Sequence, residues 1–309
     1  MSRRVFAVGE TVFDIIFKNG KPIDAYPGGS MLNASVSLGK IDISVQLITE
    51  LFDDLIGQLI RKFLKNNKVD IDISQVYKNH YTPVALAFLD DNNNASYQFY
   101  KKYPEERFRI ALNDIANTDI LLFGSIYAIT NELRNSINQI VNVFKLNNAL
   151  IIYDPNFRKP HLNELDNVKF MISENINKAD IIRGSDEDFK LIFGTNDAEQ
   201  TFDKFENKNN ILIYTASNKG VWLISEKYNK RFEVEPFNVV STIGAGDSFN
   251  AGLIYSIIKH DVNCFNISEI NLEIWSKIII DAISFGANVC SSYENYISDD
   301  FANDIILNK

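Results

Sequence analysis

From position 119 onward, short apolar runs alternate with segments whose apolar residues recur every three or four positions. The runs at 120–123, 149–153, 181–182, 211–214 and 221–224 read as buried strands. Between them, 130–144 places Leu133, Ile137, Ile140, Val141 and Phe144 on one side of a helix, and 168–177 reads as another helix. With a first strand at 5–8, this alternation predicts an α/β fold with a mostly parallel central sheet flanked by helices. Ligands of such sheets bind outside the carboxyl ends of the strands, so residues that carry chemistry should follow the strands closely.

The stretch after the last of these strands is the most informative. It reads Ser241-Thr242-Ile243-Gly244-Ala245-Gly246-Asp247-Ser248-Phe249-Asn250-Ala251-Gly252 and continues into an apolar helix. Two glycines and an alanine bare the backbone where that helix begins. Several N–H groups can then face one anion with the helix dipole behind them. A carboxylate beside an anion site is repelled by it, so Asp247 is costly there unless it takes a proton. Deprotonating a hydroxyl that attacks a phosphoryl group is such a task. Standing alone, Gly244 to Asp247 also fits a simple turn into a helix. A dinucleotide fingerprint would require glycine at position 249, where Phe249 stands, and no G-x-x-x-x-G-K-[ST] occurs.

Near the other end, Tyr26-Pro27-Gly28-Gly29-Ser30-Met31-Leu32-Asn33 again opens a helix on paired glycines, with Asn33 about one turn inside and facing the same entrance. By itself this is a turn followed by a polar surface residue. Asn19-Gly20 between extended runs predicts a hairpin. The runs 82–89 and 95–100 read as strands joined by a loop at 90–94, and with the hairpin they can form a small sheet. A helix is expected over 53–66, with Leu55, Ile56, Leu59, Ile60, Phe63 and Leu64 as its core-facing stripe.

T-I-G-A-G-D-S-F-N-A-G at 242–252 and G-G-x-x-x-N at 28–33 resemble, in that order, the two signatures of the ribokinase-like (PfkB) carbohydrate kinases. The resemblance covers essentially the whole chain, which is then one ribokinase-like domain over 1–309. It implies that Asp247 is the base for the acceptor hydroxyl and that the backbone of Gly244, Ala245 and Gly246 forms the anion hole. It assigns Asp14, Gly28, Gly29 and Asn33 to the sugar hydroxyls. It also implies that insertions at about 12–27 and 82–104 build a β-sheet lid that excludes water and can mediate a homodimer.

Asp154-Pro155-Asn156-Phe157-Arg158 is a proline turn. It resembles the fructokinase and ketogluconokinase branch of the family, in which Arg158 would face a phosphate with its two-donor fork. Ser185-Asp186-Glu187-Asp188 stands where the family has N-x-x-E. It satisfies helix capping, and the resemblance makes Ser185 a nucleotide-side residue and Asp188 a holder of Mg²⁺ through water. Thr215 and Gly220 match T-x-G-x-x-G, while Ser217 replaces its glycine; these three belong to the nucleotide path, with Asn288 on a late helix as an adenine contact. Ser241 replaces the usual aspartate, and Ile243 lacks the hydroxyl of potassium-activated members, so no potassium site of the ribokinase kind is expected.

The 309 residues, 46% hydrophobic and 23% charged, can bury one large core. A net charge of −9 argues against nucleic acid or an anionic membrane as the main partner. Cys264 and Cys290 have no metal-ligand spacing and read as reduced, buried thiols, while His80, His161 and His260 share no spacing. Met1 to Glu10 reads as a first strand, not a signal peptide, and no run reaches the length of a membrane span; a cytoplasmic protein is expected.

The expectation is an ATP-dependent, Mg²⁺-requiring kinase that phosphorylates a primary hydroxyl of a sugar, nearest to fructokinases. Phe13, Phe88 and Phe99 keep open a nucleoside kinase of the same fold. The departures at Ser185, Asp188, Ser217 and Ser241 keep open a non-catalytic sugar-binding regulator.

Overall fold

The computed structural model describes residues 3–90, 95–110, 112, 114–236 and 239–307. Among these, a nine-stranded sheet runs in the spatial order Asn229–Phe232, Val221–Ile224, Ile211–Thr215, Ile181–Ser185, Leu150–Asp154, Ile120–Gly124, Val5–Val8, Val45–Ile48 and Val69–Asp70. Pairing is parallel from Val69–Asp70 across to Ile211–Thr215 and antiparallel for the last two strands. The interior strands are short and buried along their length, because helices cover both faces of the sheet. One core lies on each face, built around Leu32, Ile254 and Trp275 on one side and around Phe123, Phe157 and Phe189 on the other.

A separate four-stranded sheet has the order Lys21–Gly28, Val12–Lys18, Val84–Leu89 and Ala95–Tyr100. Val12–Lys18 forms the expected hairpin with its neighbour and pairs in parallel with Val84–Leu89. The chain leaving this sheet is pinned to the main body. Lys101 and Tyr103 donate to Glu10 at 2.6 Å each, and Arg107 pairs with the buried Glu50.

Several local expectations need correction. Leu55 and Leu59 are 78% and 56% exposed, so the Leu55–Asn66 helix buries Gly57, Ile60 and Leu64 and packs only Ile56 and Phe63 beside them against the core. The helix expected from 130 starts at Arg134, after two 3₁₀ turns at Ile126–Ile129 and Asn131–Leu133. Val45–Ile48, inside the sheet, and the edge strands Val69–Asp70 and Asn229–Phe232 were not anticipated, because runs of two to four residues are too short for a period to show. Cys290 is a buried free thiol, whereas Cys264 is partly exposed. Of the loop expected at 90–94, positions 91–94 lie outside the described residues. No helix among the described residues is long and apolar enough to cross a membrane.

Candidate active site

The helix Ala245–Lys259 begins on Gly244, whose φ of 77° few side chains tolerate. The Ala245 amide donates to the Thr242 carbonyl at 3.3 Å. The amides of Gly246 and Asp247 fall in the first turn, where no intrahelical acceptor exists. These are the donors that the bend offers to an anion, and the helix dipole adds to their positive field.

Asp247 stands in the same turn, half-buried, and Asn33 Nδ2 donates to its Oδ2 at 2.8 Å. Asn33 reaches it from the first turn of the Ser30–Lys40 helix, where its own amide donates to the Gly29 carbonyl at 2.9 Å. The second amide atom, Asn33 Oδ1, is buried and takes no hydrogen bond from the described residues. Burial pushes the Asp247 carboxyl up to about 6. The Asn33 hydrogen bond opposes that rise, Asp154 adds to it, and Arg158 and Arg183 work against it.

Asp14 lies on Val12–Lys18 with its carboxylate packed directly on Gly28, filling the space a side chain would take there. Burial pushes Asp14 up to about 7, with Lys101 opposing and Glu10 reinforcing. Gly28 ends the strand Lys21–Gly28, and Gly29 is the residue before the helix that carries Asn33. The small sheet thereby delivers Asp14, Gly28 and Gly29 next to one another, and the Asn33 contact carries the group to Asp247.

Most of the residues that the family resemblance assigns to the nucleotide follow two adjacent strands, Ile181–Ser185 and Ile211–Thr215. Ser185 and Thr215 are register neighbours at the ends of Ile181–Ser185 and Ile211–Thr215. Ser185 and Asp188 form a reciprocal capping box: the Asp188 amide donates to Ser185 Oγ at 3.1 Å and the Ser185 amide to Asp188 Oδ2 at 2.7 Å. Asp188 Oδ1 is buried and takes no hydrogen bond from the described residues. Burial, with Asp154 adding, raises this carboxyl against the pull of Arg158 and Ser185. Arg158 itself is exposed, 3.9 Å from Glu187, yet close enough to act on both Asp188 and Asp247.

Ser217 is exposed at φ 48° in the one-turn helix Ser217–Lys219, and Gly220 closes that turn. Asn288 uses both ends of its amide on Ser298, accepting from the backbone at 2.9 Å and donating to the hydroxyl at 3.3 Å. It ties the helix Leu272–Cys290 to the segment entering Asp299–Leu307.

The sequence reading overlooked three buried groups. Arg183 is 7% exposed and Asp154 1%, and they pair through Nη1 and Oδ2 at 3.0 Å. Asn250 Nδ2 donates to the same carboxylate oxygen at 2.6 Å. A signal was present in Ile181-Ile182-Arg183-Gly184, since a charge inside a buried strand requires a partner. Among the described residues no group of three His, Cys, Asp or Glu could hold a metal ion.

Comparison with known proteins bears on the family and the fold. Residues 2–289 match the family model for pfkB family carbohydrate kinases. Probable fructokinase-2 of Arabidopsis thaliana is 26% identical over 238 residues, covering 75% of this chain and 72% of its own. The fructokinase of Xylella fastidiosa, solved with bound ATP, superposes with a TM-score of 0.84 at 17% identity, over 100% of this chain and 99% of that one. Aminoimidazole riboside kinase from Salmonella enterica, solved with aminoimidazole riboside and an ATP analogue, gives 0.79 at 18% identity, over 98% and 100%.

Proposed function

The chain belongs to the pfkB family of carbohydrate kinases, sugar kinases that transfer phosphate to a hydroxyl, and on that premise we propose that it moves the γ-phosphoryl group of ATP to a primary hydroxyl of a fructose-like free sugar. Asp247 is the general base. The observation that carries this reading is the Asn33–Asp247 hydrogen bond, which couples the hydroxyl-binding signature to the phosphate-binding one.

In this mechanism Asp14 and Asn33 hold the sugar hydroxyls, with Asn33 Oδ1 as a ready acceptor. The ionised Asp247 takes the proton of the attacking hydroxyl. That oxygen bonds to the γ-phosphorus as the bond to the β-phosphate oxygen breaks, releasing ADP. The amides of Gly246 and Asp247, with Gly244 and Ala245 shaping the bend, stabilise the charge on the transferred group, and Arg158 adds a cation. Ser185, Thr215, Ser217 and Gly220 border the nucleotide.

Mg²⁺ fits this donor set in one respect: Asp188 Oδ1 is a hard oxygen with no hydrogen-bond partner among the described residues. With no three-ligand cluster among the described residues, the ion would be held chiefly by phosphates and water, Asp188 acting through water. When bound, it would neutralise phosphate charge.

The chain acts as one domain with the small sheet as its lid, which closes over the sugar and keeps water from competing as acceptor. Ile23, Phe88, Phe99 and Tyr100, all exposed on that sheet, offer a surface to a second copy. The same exposed Phe88 and Phe99 favour a second reading, a nucleoside kinase whose lid stacks on a base.

The experiment is ADP formation with Mg-ATP across fructose, ribose, sugar phosphates, 2-keto-3-deoxygluconate and nucleosides, with Asp247→Asn alongside. Fast turnover of a free ketose, abolished in the variant, supports the first reading. Preference for a nucleoside supports the second, and no turnover with sugar-induced thermal stabilisation sinks both in favour of a sugar-binding regulator.

A further inference from the structure

Arg183 occupies the space immediately beneath the phosphate-facing bend. A side-chain carbon built on Gly246 would lie 2.7 Å from Arg183 Nη1 and 3.2 Å from its Cζ, so the guanidinium is in van der Waals contact with the backbone of that glycine. The group is held from both ends of its fork. Nη1 donates to Asp154 Oδ2 at 3.0 Å and Nη2 to Thr215 Oγ1 at 3.0 Å. Its Cζ lies 5.3 Å from the centre of the Phe249 ring, on the same turn as Asp247.

The two anchors end the strands Leu150–Asp154 and Ile211–Thr215, which flank the strand that carries Arg183. The helix adds its own tie through Asn250 to Asp154. Three strands and the first turns of one helix thus converge on one ion pair. With donors fixed at both ends, the guanidinium cannot swing up to a ligand without abandoning Asp154 and Thr215.

We propose that Arg183 is a positioning residue: clamped by Asp154 and Thr215, it is the floor that holds the Gly246 and Asp247 amides, and the Asp247 carboxylate, at fixed height above the strand ends. Its charge also favours the ionised form of Asp247. The groups that face Asp247 are Asn33 from the Ser30–Lys40 helix, Asp154 and Arg158 from the strand and loop at 150–158, and Arg183. The proposal rests on the reading of Asp247 as the base.

The test uses Arg183→Met, Arg183→Lys and the double variant Asp154→Asn/Arg183→Met, compared with Asp247→Asn, each checked for folding by near-ultraviolet circular dichroism. The double variant covers the case in which the lone methionine leaves Asp154 buried and unpaired and the chain does not fold. Arg183→Met, or the double variant in its place, is expected to lose roughly 10- to 100-fold in kcat with the sugar KM within about threefold. The acid limb of kcat/KM moves to higher pH in Arg183→Met, because a cation beside Asp247 is gone. In the double variant it moves back down, because the like charge of Asp154 is gone too. Arg183→Lys keeps the charge and loses the fork, so its limb stays while kcat recovers only in part.

A folded Arg183→Met or double variant with kcat within about twofold of the parent and an unmoved limb overturns the proposal, provided that Asp247→Asn is inactive. Turnover retained in Asp247→Asn overturns instead the reading on which it rests.

Discussion

Asn33 and Asp247 are 214 residues apart in the chain and 2.8 Å apart in the fold. One stands in the first turn of the helix that follows the small sheet, the other in the first turn of the helix that carries the anion bend. In the proposed mechanism, a hydroxyl held by the first lies beside the carboxylate that accepts its proton. The hydrogen bond also favours the charged carboxylate against the cost of burial.

Asn33→Ala removes that support, so the Asp247 carboxyl rises above about 6. The acid limb of kcat/KM is expected to move to higher pH, and the sugar KM to rise because a hydroxyl partner is lost. A pH–rate profile of parent and variant measures both.

Asp247→Asn is expected to lower kcat by a factor on the order of 10²–10⁴ and to raise stability. Folding lifts this carboxyl from 3.8 to about 6, so the folded state binds the proton more tightly than the unfolded one. Stability therefore falls as pH rises from 3.8 to about 6, and the penalty is complete above that. Thermal melts should place the variant a few degrees above the parent at pH 8 and close to it at pH 4.

Gly246→Ala would drive a methyl into the Arg183 guanidinium, which is held by Asp154 and Thr215 and has little room to yield. The expected cost is about 1–3 kcal/mol of stability, with a larger loss of kcat than of sugar affinity. Denaturant titration and steady-state kinetics check the two parts.

Asp54 joins the Leu55–Asn66 helix to the start of the second small-sheet insertion. Its carboxylate caps Gly57 at 2.7 Å and accepts from the Thr82 amide at 2.8 Å and the Thr82 hydroxyl at 2.5 Å. Burial raises this carboxyl, but the Thr82 and Gly57 hydrogen bonds outweigh it and leave it below its ordinary value. Its contribution is thus present above the ordinary carboxylate range and is lost as pH falls below it. Asp54→Ala should cost about 1–2 kcal/mol at pH 7 and speed amide exchange in Val84–Leu89.

Much of this was legible in the residues. Gly244-Ala245-Gly246-Asp247 before an apolar run means a bare helix start with a carboxylate in its first turn, whatever surrounds it. Strand–helix alternation from Ile120 to Ile224 leaves little choice but a mostly parallel sheet, because each apolar run must be covered on both faces. Ser185 and Asp188 announced their capping box by spacing alone. These are local or periodic facts, and the chain carries them at short range.

What the tertiary structure decided is which distant groups meet. Arg183 reads as one charge in an apolar run until Asp154 and Thr215 close on it from adjacent strands, with Gly246 resting above. The apolar stripe of Leu55–Asn66 gave no way to tell that Leu55 and Leu59 stay in water, since that depends on how far the neighbouring strands extend over the helix. Asn288 carried only an adenine-contact expectation by sequence, and the fold brings both ends of its amide to Ser298. Periodicity records only how a segment meets its nearest neighbours; pairing of buried charge and orientation of amides depend on contacts across the whole chain, and packing alone selects them.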